Sequence, residues 1–532
     1  MNKIHNVAQL VRRAATQVGD RPALIYRGQT LTWAEVDAEV DAVARDLSTL
    51  FPSTPSREGS DKVPPRVAIA LPNIPRFVTT YFGILRAGLI AVPIHPGQDV
   101  AEQRRILADS GASAVVCGAT TAARLIGPEA EGVLDGVRHI LTVEDAPEAK
   151  GDTGPLQVSP DEPPLDTSRG GEDLAVILYT SGTSGVPHGV MLSHRALMAN
   201  LQQLDQIEPR MVSPTDVVLL ALPMFHAYGL GPGLHEIAYH GCAGVLIDRF
   251  DPADTLEQIE RHRVSVVLGV PAMYRAWLRQ PDLEQRFSGV RLAVSGAAPL
   301  DPRTWERFAE ITGRHIFVGY GLTEAAPVLT TTLCSQTNKI GSIGRPIPGV
   351  ELKLVSPDGQ EIEAADHDDH DDEEFASPQS PGTDPGEIWV RGKNLFSGYW
   401  PDGRGGPGAD GWWATADLAY ADADGDLFLV DRLSDVITVS GFSVYPQEVE
   451  RILLEHPAVA EAAVVGVPHP TTGQAIRAYL VTREGTSVDA DEMIAHCERR
   501  LARFKSPTEV RFVDQLPRSI TGQVRRSMLR DR

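Results

Sequence analysis

The chain alternates between short aliphatic runs and stretches of helical spacing. Three aliphatic runs predict buried strands, at 66–71, 89–94 and 113–117. The segments 75–88 and 101–111, which lie between them, carry apolar residues at helical intervals. Strands that alternate with helices in this way are typical of βαβ units, so the pattern predicts an α/β fold with a mostly parallel sheet.

Five later aliphatic runs end in small or polar residues. They are LAVILY (174–179), VVLLALP (217–223), VSVVLGVP (264–271), RLAVSGAAPL (291–300) and HIFVGYGLTE (315–324). Ligands bind beyond the carboxyl ends of parallel strands. We therefore expect the loops that follow these runs to converge on one crevice.

The pattern changes near residue 350, where shorter strand patterns begin: VELKLV (350–355), GEIWVRG (386–392) and GDLFLVDR (425–432). The segment 361–386 is acidic and then proline-rich, which is typical of a solvated, disordered insertion. A cation site at its HDDH letters is the alternative. The last hundred residues or so predict a second, small α/β unit.

Composition limits the partners of this chain. Its 532 residues are enough for about two to four domains, and 42% hydrophobic with 23% charged residues allows a sizeable core. The formal net charge of -22 disfavours sequence-independent nucleic-acid binding and docking on an anionic membrane surface. An acidic ligand must therefore meet positive charge locally.

Cysteine usage and the N-terminus predict a cytoplasmic location. The four cysteines are far apart and lack metal-ligand spacing, so we expect free thiols in a reducing compartment. The N-terminus has no apolar segment of the kind that a secretion signal requires. The most apolar window, 81–94, is too short to span a bilayer and is interrupted by Arg86.

The stretch YTSGTSGVPHGV (179–190) has the glycine and hydroxyl content of a phosphate-binding loop. Thr180, Ser181 and Thr183 would donate hydrogen bonds to phosphate oxygens together with backbone N–H groups. An ordinary turn is the alternative interpretation. Loops of this kind usually carry a lysine, and His188 occupies the expected place.

Nine segments in the same order resemble the motifs of the adenylate-forming superfamily, which contains acyl-CoA synthetases, adenylation domains and luciferases. They are YTSGTSGVPHGV, LPMFHAYG (222–229), SGAAPL (295–300), GYGLTE (319–324), GSIGRPIPG (341–349), GWWATADL (411–418), DRLSDVITVSGFSVYPQEVE (431–450), GVPHPTTGQAIRAYLV (466–481) and TGQVRR (521–526). The resemblance covers essentially the whole chain.

This resemblance implies a large N-terminal domain over 1–433, with mostly parallel sheets and a β-rich subdomain. It also implies a small, mobile α+β C-terminal domain over 434–532, with Ser434 at the hinge. The implied chemistry has two halves. A carboxylate and ATP give an acyl-adenylate and pyrophosphate with Mg²⁺, and a thiol, usually coenzyme A, then takes the acyl group.

The resemblance also implies roles for individual residues. Thr323 and Glu324 would meet the α-phosphate and the magnesium ion, and His226 would border the acyl pocket. The adenine, ribose and pantetheine contacts would come from Gly296, Ala297, Ala298, Tyr320, Asp417, Arg432 and Gly441. A structural histidine at 226, surface ion pairs at 417 and 432, and a plain turn glycine at 441 are the alternatives.

Three positions depart from the family pattern. The first loop normally ends in Pro-Lys-Gly and here reads Pro187-His188-Gly189. The C-terminal tail normally carries Gly-Lys and here has Gln523 in place of the lysine. The hinge position, usually Asp or Lys, is Ser434. Both lysine losses fall on adenylation, and one preorganised donor is worth about 2.7–4 kcal/mol in a transition state.

Our first hypothesis from the sequence is a protein that performs mainly the second half-reaction. It would convert an acyl-adenylate made by a separate enzyme of specialised metabolism into acyl-CoA and AMP. A complete ATP-dependent acyl-CoA synthetase, in which His188 partly replaces the lysine, is the alternative. A non-catalytic protein that binds an acyl-adenylate is a third hypothesis, and a separate carrier protein could replace coenzyme A.

Overall fold

The computed structural model describes residues 4–52, 63–127, 136–143, 167–180, 187–362, 382–519 and 522–530. The strands are β1 (Pro22–Tyr26), β2 (Gln29–Thr32), β3 (Arg66–Ala70), β4 (Ile90–Pro93), β5 (Ala114–Gly118), β6 (His139–Val143), β7 (Leu174–Thr180), β8 (His188–Ser193), β9 (Val217–Leu220), β10 (Ala243–Leu246), β11 (Val266–Gly269), β12 (Leu292–Ser295), β13 (Ile316–Gly321), β14 (Val328–Thr331), β15 (Arg345–Pro346), β16 (Val350–Val355), β17 (Gly386–Gly392), β18 (Trp413–Ala421), β19 (Leu427–Arg432), β20 (Ile437–Val439), β21 (Phe442–Val444), β22 (Val459–His469), β23 (Gly473–Thr482) and β24 (Glu509–Phe512).

The helices are α1 (Gln9–Val18), α2 (Trp33–Leu50), α3 (Pro75–Arg86), α4 (Val100–Ser110), α5 (Ala119–Ile126), α6 (His194–Leu204), α7 (Glu236–His240), α8 (Pro252–Arg261), α9 (Pro271–Trp277), α10 (Leu283–Phe287), α11 (Pro302–Thr312), α12 (Pro446–Leu454), α13 (Ala490–Glu498) and α14 (Ser527–Arg530). A π-helix, Gly229–His235, runs directly into α7.

Two mostly parallel sheets form the large α/β part of the molecule, as predicted. The described strands give a nine-stranded sheet in the order β15-β14-β13-β12-β11-β9-β10-β1-β2 and a six-stranded sheet in the order β6-β5-β3-β4-β7-β8. Strands β9, β11, β12 and β13 are parallel neighbours, so their carboxyl ends meet at one edge. The loops that follow these strands therefore leave the sheet at the edge where the crevice is predicted.

The later part of the chain is built differently, again as predicted. Strands β16 to β19 form an antiparallel four-stranded sheet, which is the β-rich subdomain. Strands β20 to β24 form a separate five-stranded sheet with its own buried core under α12 and α13. The domain boundary at 433/434 remains a prediction, and residues 363–381 of the acidic insertion lie outside the described residues.

The apolar window 81–94 does not form one long helix, and the chain leaves α3 at Gly88, which has a φ of 73°. The window is divided between the end of α3 and strand β4, and the Arg86 guanidinium is buried. Its Nη2 lies 2.6 Å from Asp37 Oδ1 and its Nη1 lies 2.9 Å from Asp41 Oδ1. Among the described residues we find no helix long and apolar enough to cross a lipid bilayer.

No disulfide joins any of the four cysteines, all of which lie within the described residues. Cys117, Cys242 and Cys497 are buried and Cys334 is half-buried. Burial raises the pKa of Cys497 to about 11, so its thiol stays protonated at neutral pH.

Two buried histidines, one at the start of α6 and one at the end of the π-helix, contact the N-terminal part of the chain. The Val7 N–H donates to His194 Nδ1 at 3.1 Å, and His235 Nε2 lies 3.0 Å from Tyr81 Oη. Burial lowers the pKa of His194 to about 4 and that of His235 to about 3. Both rings are therefore neutral in the folded protein at pH 7.

Because burial keeps these two histidines neutral, we expect the folded protein to lose stability in acid. Below about pH 6.5 the unfolded chain takes up protons that the folded protein refuses, so the free energy of unfolding falls as the pH is lowered towards 4. Each histidine contributes about 1.4 kcal/mol per pH unit. Urea unfolding at about pH 7, 6 and 5 measures the slope. His235→Gln should reduce the slope of the free energy of unfolding against pH by the contribution of about one proton. Above pH 7 its slope should equal that of the wild type. Equal slopes would contradict this origin.

Candidate active site

Tyr320, Asp417 and Arg432, which the resemblance assigns to adenine and ribose, lie together beside the end of β13. Tyr320 Oη donates to Asp417 Oδ2 at 2.7 Å, and Arg432 Nε lies 3.1 Å from Asp417 Oδ1. Asp417 and Arg432 are direct partners across the antiparallel pair β18–β19, which explains their contact. Burial raises the pKa of Asp417, and the Asp417 carboxylate raises the pKa of Arg432.

The predicted adenine loop follows β12 directly. Gly296 N–H donates to Gly269 O at 3.1 Å, which fixes the loop to the neighbouring strand. Ala297 has a φ of 65°, a left-handed conformation that costs an alanine about 1–2 kcal/mol. Ala416, beside Asp417, has a φ of 61°. Such strained residues cluster at ligand sites, and here they flank two of the predicted contact groups.

Glu324 is held by a tyrosine that sequence analysis missed. Its buried carboxylate follows β13 in a short 3₁₀ turn, and Tyr399 Oη donates to Glu324 Oε1 at 2.8 Å. Burial is the main cause that raises the pKa of Glu324. The main chain repeats the link, because Phe396 N–H donates to Glu324 O at 2.8 Å. The aromatic pair in SGYW (397–400) is the only sequence signal for this contact.

His188 lies next to this tyrosine. It begins β8, where it is exposed and pairs with Thr180 across the β7–β8 hairpin. The centres of the His188 and Tyr399 rings are 5.7 Å apart. The Tyr399 ring therefore lies between His188, the residue at the place of the family lysine, and the Glu324 carboxylate. Ser181 and Thr183 lie outside the described residues, so their predicted phosphate contacts remain predictions.

The oxygen groups at the end of β13 fit a magnesium ion. Mg²⁺ prefers carboxylate and hydroxyl oxygens and keeps several waters. Glu324 and the adjacent Thr323 provide such oxygens, and the described hydrogen bond of the Glu324 side chain uses Oε1. A bound ion would neutralise charge on the phosphates at this position.

His226 is neutral and has a defined tautomer. The Tyr228 N–H donates to His226 Nδ1 at 3.2 Å, so the ring proton lies on Nε2. Burial lowers the pKa of His226 to about 4. His226 lies between β9 and the π-helix, and Leu230 N–H donates to its carbonyl at 2.9 Å. The ring offers one N–H donor and no charge.

The predicted C-terminal residues lie in turns. Ser440 and Gly441, with φ of 52° and 88°, form the two-residue loop between β20 and β21, which is sufficient reason for a glycine there. Gln523 N–H donates to Ser519 Oγ at 3.1 Å, and the Gln523 carbonyl accepts from Ser519 N–H at 2.7 Å. Ser434 lies in the turn Leu433–Asp435. The functional roles of these three residues remain predictions.

One arginine of the tail joins both sides of the predicted hinge. Arg526 contacts Glu450 at 2.9 Å, Asp435 at 3.2 Å and Asp431 at 3.4 Å. The Asp431 side chain is fully buried and also accepts from Gln447 N–H at 3.0 Å. Burial raises the pKa of Asp431 to about 6. Asp431 lies before the predicted boundary at 433/434, and its partners Gln447 and Arg526 lie after it.

A cluster of three aspartates, Asp422, Asp424 and Asp426, is occupied by a side chain. Lys339 Nζ lies 2.6, 2.6 and 2.9 Å from their carboxylates. Arg345 adds a second cation at 3.1 Å from Asp426. These two cations offset two of the three negative charges of the cluster.

Comparison with known proteins defines the class of enzyme. The AMP-binding enzyme family matches residues 11–400, and the AMP-binding enzyme C-terminal domain matches residues 448–523. The chain belongs to the AMP-binding enzymes of the adenylate-forming superfamily. Within that superfamily it lies on the acyl-CoA synthetase branch, with ATP, AMP or acyl-adenylate, and coenzyme A as its ligands.

Individual relatives match over their full lengths. A long-chain-fatty-acid–CoA ligase from Yersinia pestis is 31% identical over 562 residues, which cover 100% of this chain and 95% of that protein. A feruloyl-CoA synthase from an Amycolatopsis species is 34% identical, with 96% and 95% covered. Among solved structures, ATP-bound MatB from Rhodopseudomonas palustris superposes with a TM-score of 0.84 at 29% identity, covering 99% of this chain and 98% of that one. The anthranilate CoA ligase AuaEII in complex with anthranoyl-AMP gives 0.82 at 25%, covering 100% and 98%.

Proposed function

We propose that this protein is a complete acyl-CoA synthetase in which adenylation is the slower half-reaction. In the first half, a carboxylate oxygen attacks the α-phosphorus of ATP, and the bond to pyrophosphate breaks. In the second half, the sulfur of coenzyme A attacks the acyl carbon, AMP leaves, and the thiol proton is released. This differs from our first hypothesis, which assigns adenylation to a separate enzyme.

The contact chain from His188 through Tyr399 to Glu324 carries the proposal. Departure of pyrophosphate concentrates negative charge near the phosphate loop, and a donor there stabilises the transition state. His188 sits at the end of that loop, with its ring 5.7 Å from the Tyr399 ring. The exposed His188 imidazole can donate a hydrogen bond towards a phosphate oxygen of ATP. This replaces part of the missing lysine.

The AMP part of the site supports both halves of the reaction. A buried carboxylate such as Asp417, fixed by Tyr320 and Arg432, is preorganised to accept hydrogen bonds from a ribose diol. His226, neutral with its proton on Nε2, would donate towards the reacting carboxyl group. Full-length matches to CoA ligases, one of them bound to ATP and another to an acyl-adenylate, also favour a complete enzyme.

A second candidate function keeps the first hypothesis, in which the protein acts only on a preformed acyl-adenylate. The absence of lysine at 188 and 523 favours it. Gln523 can donate hydrogen bonds, but it has no positive charge to offset the repulsion between the substrate carboxylate and the α-phosphate of ATP. If both losses were additive, adenylation would slow by roughly four to six powers of ten.

Two assays on the purified full chain separate these functions. Exchange of labelled pyrophosphate into ATP, with each of several carboxylic acids, reports adenylation. The control for this assay omits the acid. In the second assay, synthetic acyl-adenylates with coenzyme A report thioester formation. We expect acid-dependent exchange that is slower than thioester formation from the matching adenylate.

The outcomes differ for each candidate. Thioester formation without any exchange would replace the proposal by the second candidate. Neither activity with any acyl group would favour a protein that only binds the adenylate. The names of the relatives divide between long-chain fatty acids and aromatic acids.

A further inference from the structure

A short segment, residues 394–400, holds the main chain beside the predicted magnesium carboxylate. Phe396 N–H donates to Glu324 O at 2.8 Å. The buried Asn394, two residues earlier, donates from its Nδ2 to Ala325 O, also at 2.8 Å. Two successive carbonyls of the 3₁₀ turn after β13 are therefore fixed by one piece of chain.

The same segment pairs with β8, the strand that follows the phosphate loop. Ser397 N–H donates to Met191 O at 2.9 Å, and Trp400 N–H donates to Gly189 O at 2.7 Å. His188, at the place of the family lysine, begins this strand. The end of the phosphate loop and the turn that carries the predicted magnesium carboxylate are thus joined through a single segment.

Tyr399 is the side chain that extends from this segment to the carboxylate. Its hydroxyl donates to Glu324 Oε1 at 2.8 Å. Two neighbours pack on the Tyr399 ring: the Phe396 ring meets it edge-on with 5.1 Å between centres, and an added Cβ at Gly405 would lie 2.9 Å from its Cδ2. Because packing fixes the ring, the hydroxyl is preorganised for its bond to Glu324.

The Glu324 carboxylate needs such a partner because a glutamate side chain has several rotatable bonds. Without the partner, the side chain could turn its oxygens away from the end of β13. A hydrogen bond from a second residue orients a metal-ligating carboxylate, and loss of such an outer partner costs about 10–100-fold in metal affinity or activity. The Tyr399 hydroxyl makes this contact.

We infer that Tyr399 is a positioning residue, which orients the Glu324 carboxylate towards the magnesium ion that accompanies ATP. This inference rests on the proposed function, because magnesium and ATP enter only in its adenylation half. Tyr399 acts through Glu324, whereas the predicted ribose contact of AMP is Asp417. Binding of Mg²⁺·ATP compared with binding of AMP therefore separates the role of Tyr399 from a general effect on the fold.

Calorimetric titration of the full chain measures this role without any turnover. The ligands are ATP with Mg²⁺, in the absence of a carboxylic acid, and AMP without metal. Tyr399→Phe keeps the ring and removes only the hydroxyl. We expect the dissociation constant of Mg²⁺·ATP to rise about tenfold or more, and that of AMP to change by less than about twofold.

The matched control is Tyr26→Phe. It removes a hydroxyl that donates to Asp248 Oδ2 at 3.1 Å, in β1 near the other edge of the sheet that contains β13. This variant also loses a tyrosine–carboxylate bond, but outside the predicted nucleotide site. It should bind both ligands like the wild type.

A double-variant cycle tests whether Tyr399 acts through the carboxylate. Glu324→Gln removes the ligand charge, so Tyr399→Phe in that background should change the dissociation constant of Mg²⁺·ATP by less than about twofold. Losses that add in the double variant would overturn the inference, and so would equal losses of AMP and Mg²⁺·ATP binding in Tyr399→Phe. An unchanged affinity of Tyr399→Phe for Mg²⁺·ATP, or a wild-type affinity for ATP that does not depend on Mg²⁺, would overturn it as well.

Failure of the proposed function gives a different result. A wild-type protein that binds Mg²⁺·ATP but exchanges no pyrophosphate with any acid would contradict the proposed function, and the titrations would still decide the role of Tyr399. Exchange in the wild type together with unchanged binding in Tyr399→Phe would contradict only the inference about Tyr399.

Discussion

The double variant His188→Lys with Gln523→Lys should exchange pyrophosphate into ATP at least about a hundred times faster than the wild-type protein. Lysine at 188 would restore positive charge where pyrophosphate leaves. Lysine at 523 would restore it where the substrate carboxylate meets the α-phosphate of ATP. A single preorganised donor is worth about 10²–10³ in rate, and the two act on the same half-reaction. His188 already supplies part of the effect, so the gain is smaller than the sum of two full losses.

The measurement is the initial rate of exchange at saturating ATP with an acid that supports activity. A charge-matched control, His5→Lys with Gln515→Lys, adds the same two charges at exposed positions away from the crevice. Thioester formation from the matching adenylate should change by less than about twofold in both variants, because that step uses neither lysine. No gain in exchange would mean that residues other than these two restrain adenylation.

Loss of the Asp417 carboxylate should be the most damaging single change in the nucleotide site. Asp417 holds both Tyr320 and Arg432, and its removal leaves the Arg432 guanidinium without its partner at 3.1 Å. We expect Asp417→Ala to lower kcat/KM by about 10²–10³ for exchange and for thioester formation alike. Equal loss in the two assays follows because AMP is bound during both.

Asp417→Asn distinguishes charge from hydrogen bonding. Its amide oxygen still accepts from Tyr320 Oη, so it should recover part of the affinity for the adenylate but little of the contact with Arg432. Asp402→Ala, which removes an exposed ion pair with Arg404, is the matched control and should leave both activities unchanged. A loss confined to exchange would place Asp417 outside the shared AMP site.

The fold was largely predictable because its signals are local. The helical segments 75–88 and 101–111 are α3 and α4, and the aliphatic runs between them are strands. The stretch GLGPGLH (229–235) shows the limit of that approach. Glycine and proline disfavour helices, yet this stretch forms a π-helix, because its missing side chains let the backbone pack on Pro327.

The site was predictable where residues are close in sequence or lie on paired strands. Asp417 and Arg432 face each other across one hairpin, so their contact follows from the strand pattern. Glu324 and Tyr399 are 75 positions apart in the sequence. Strand β8 holds the segment of Tyr399 in place, because the N–H of the next residue, Trp400, donates to Gly189 O of β8 at 2.7 Å. No period or propensity encodes such a contact, because it depends on tertiary packing.

The resemblance implies that the small C-terminal domain rotates about Ser434, and the ion pairs of Arg526 would make such a rotation sensitive to salt. Such a rotation would have to break two contacts of Asp431, its ion pair with Arg526 and the hydrogen bond that it accepts from the Gln447 N–H. The Asp431 side chain is fully buried between them. Water enters as the charges part, and mobile ions screen freed charges far better than a closed pair. Rotation of the small domain would therefore become easier as ionic strength rises, and the time that the enzyme spends between the two predicted half-reactions would depend on it.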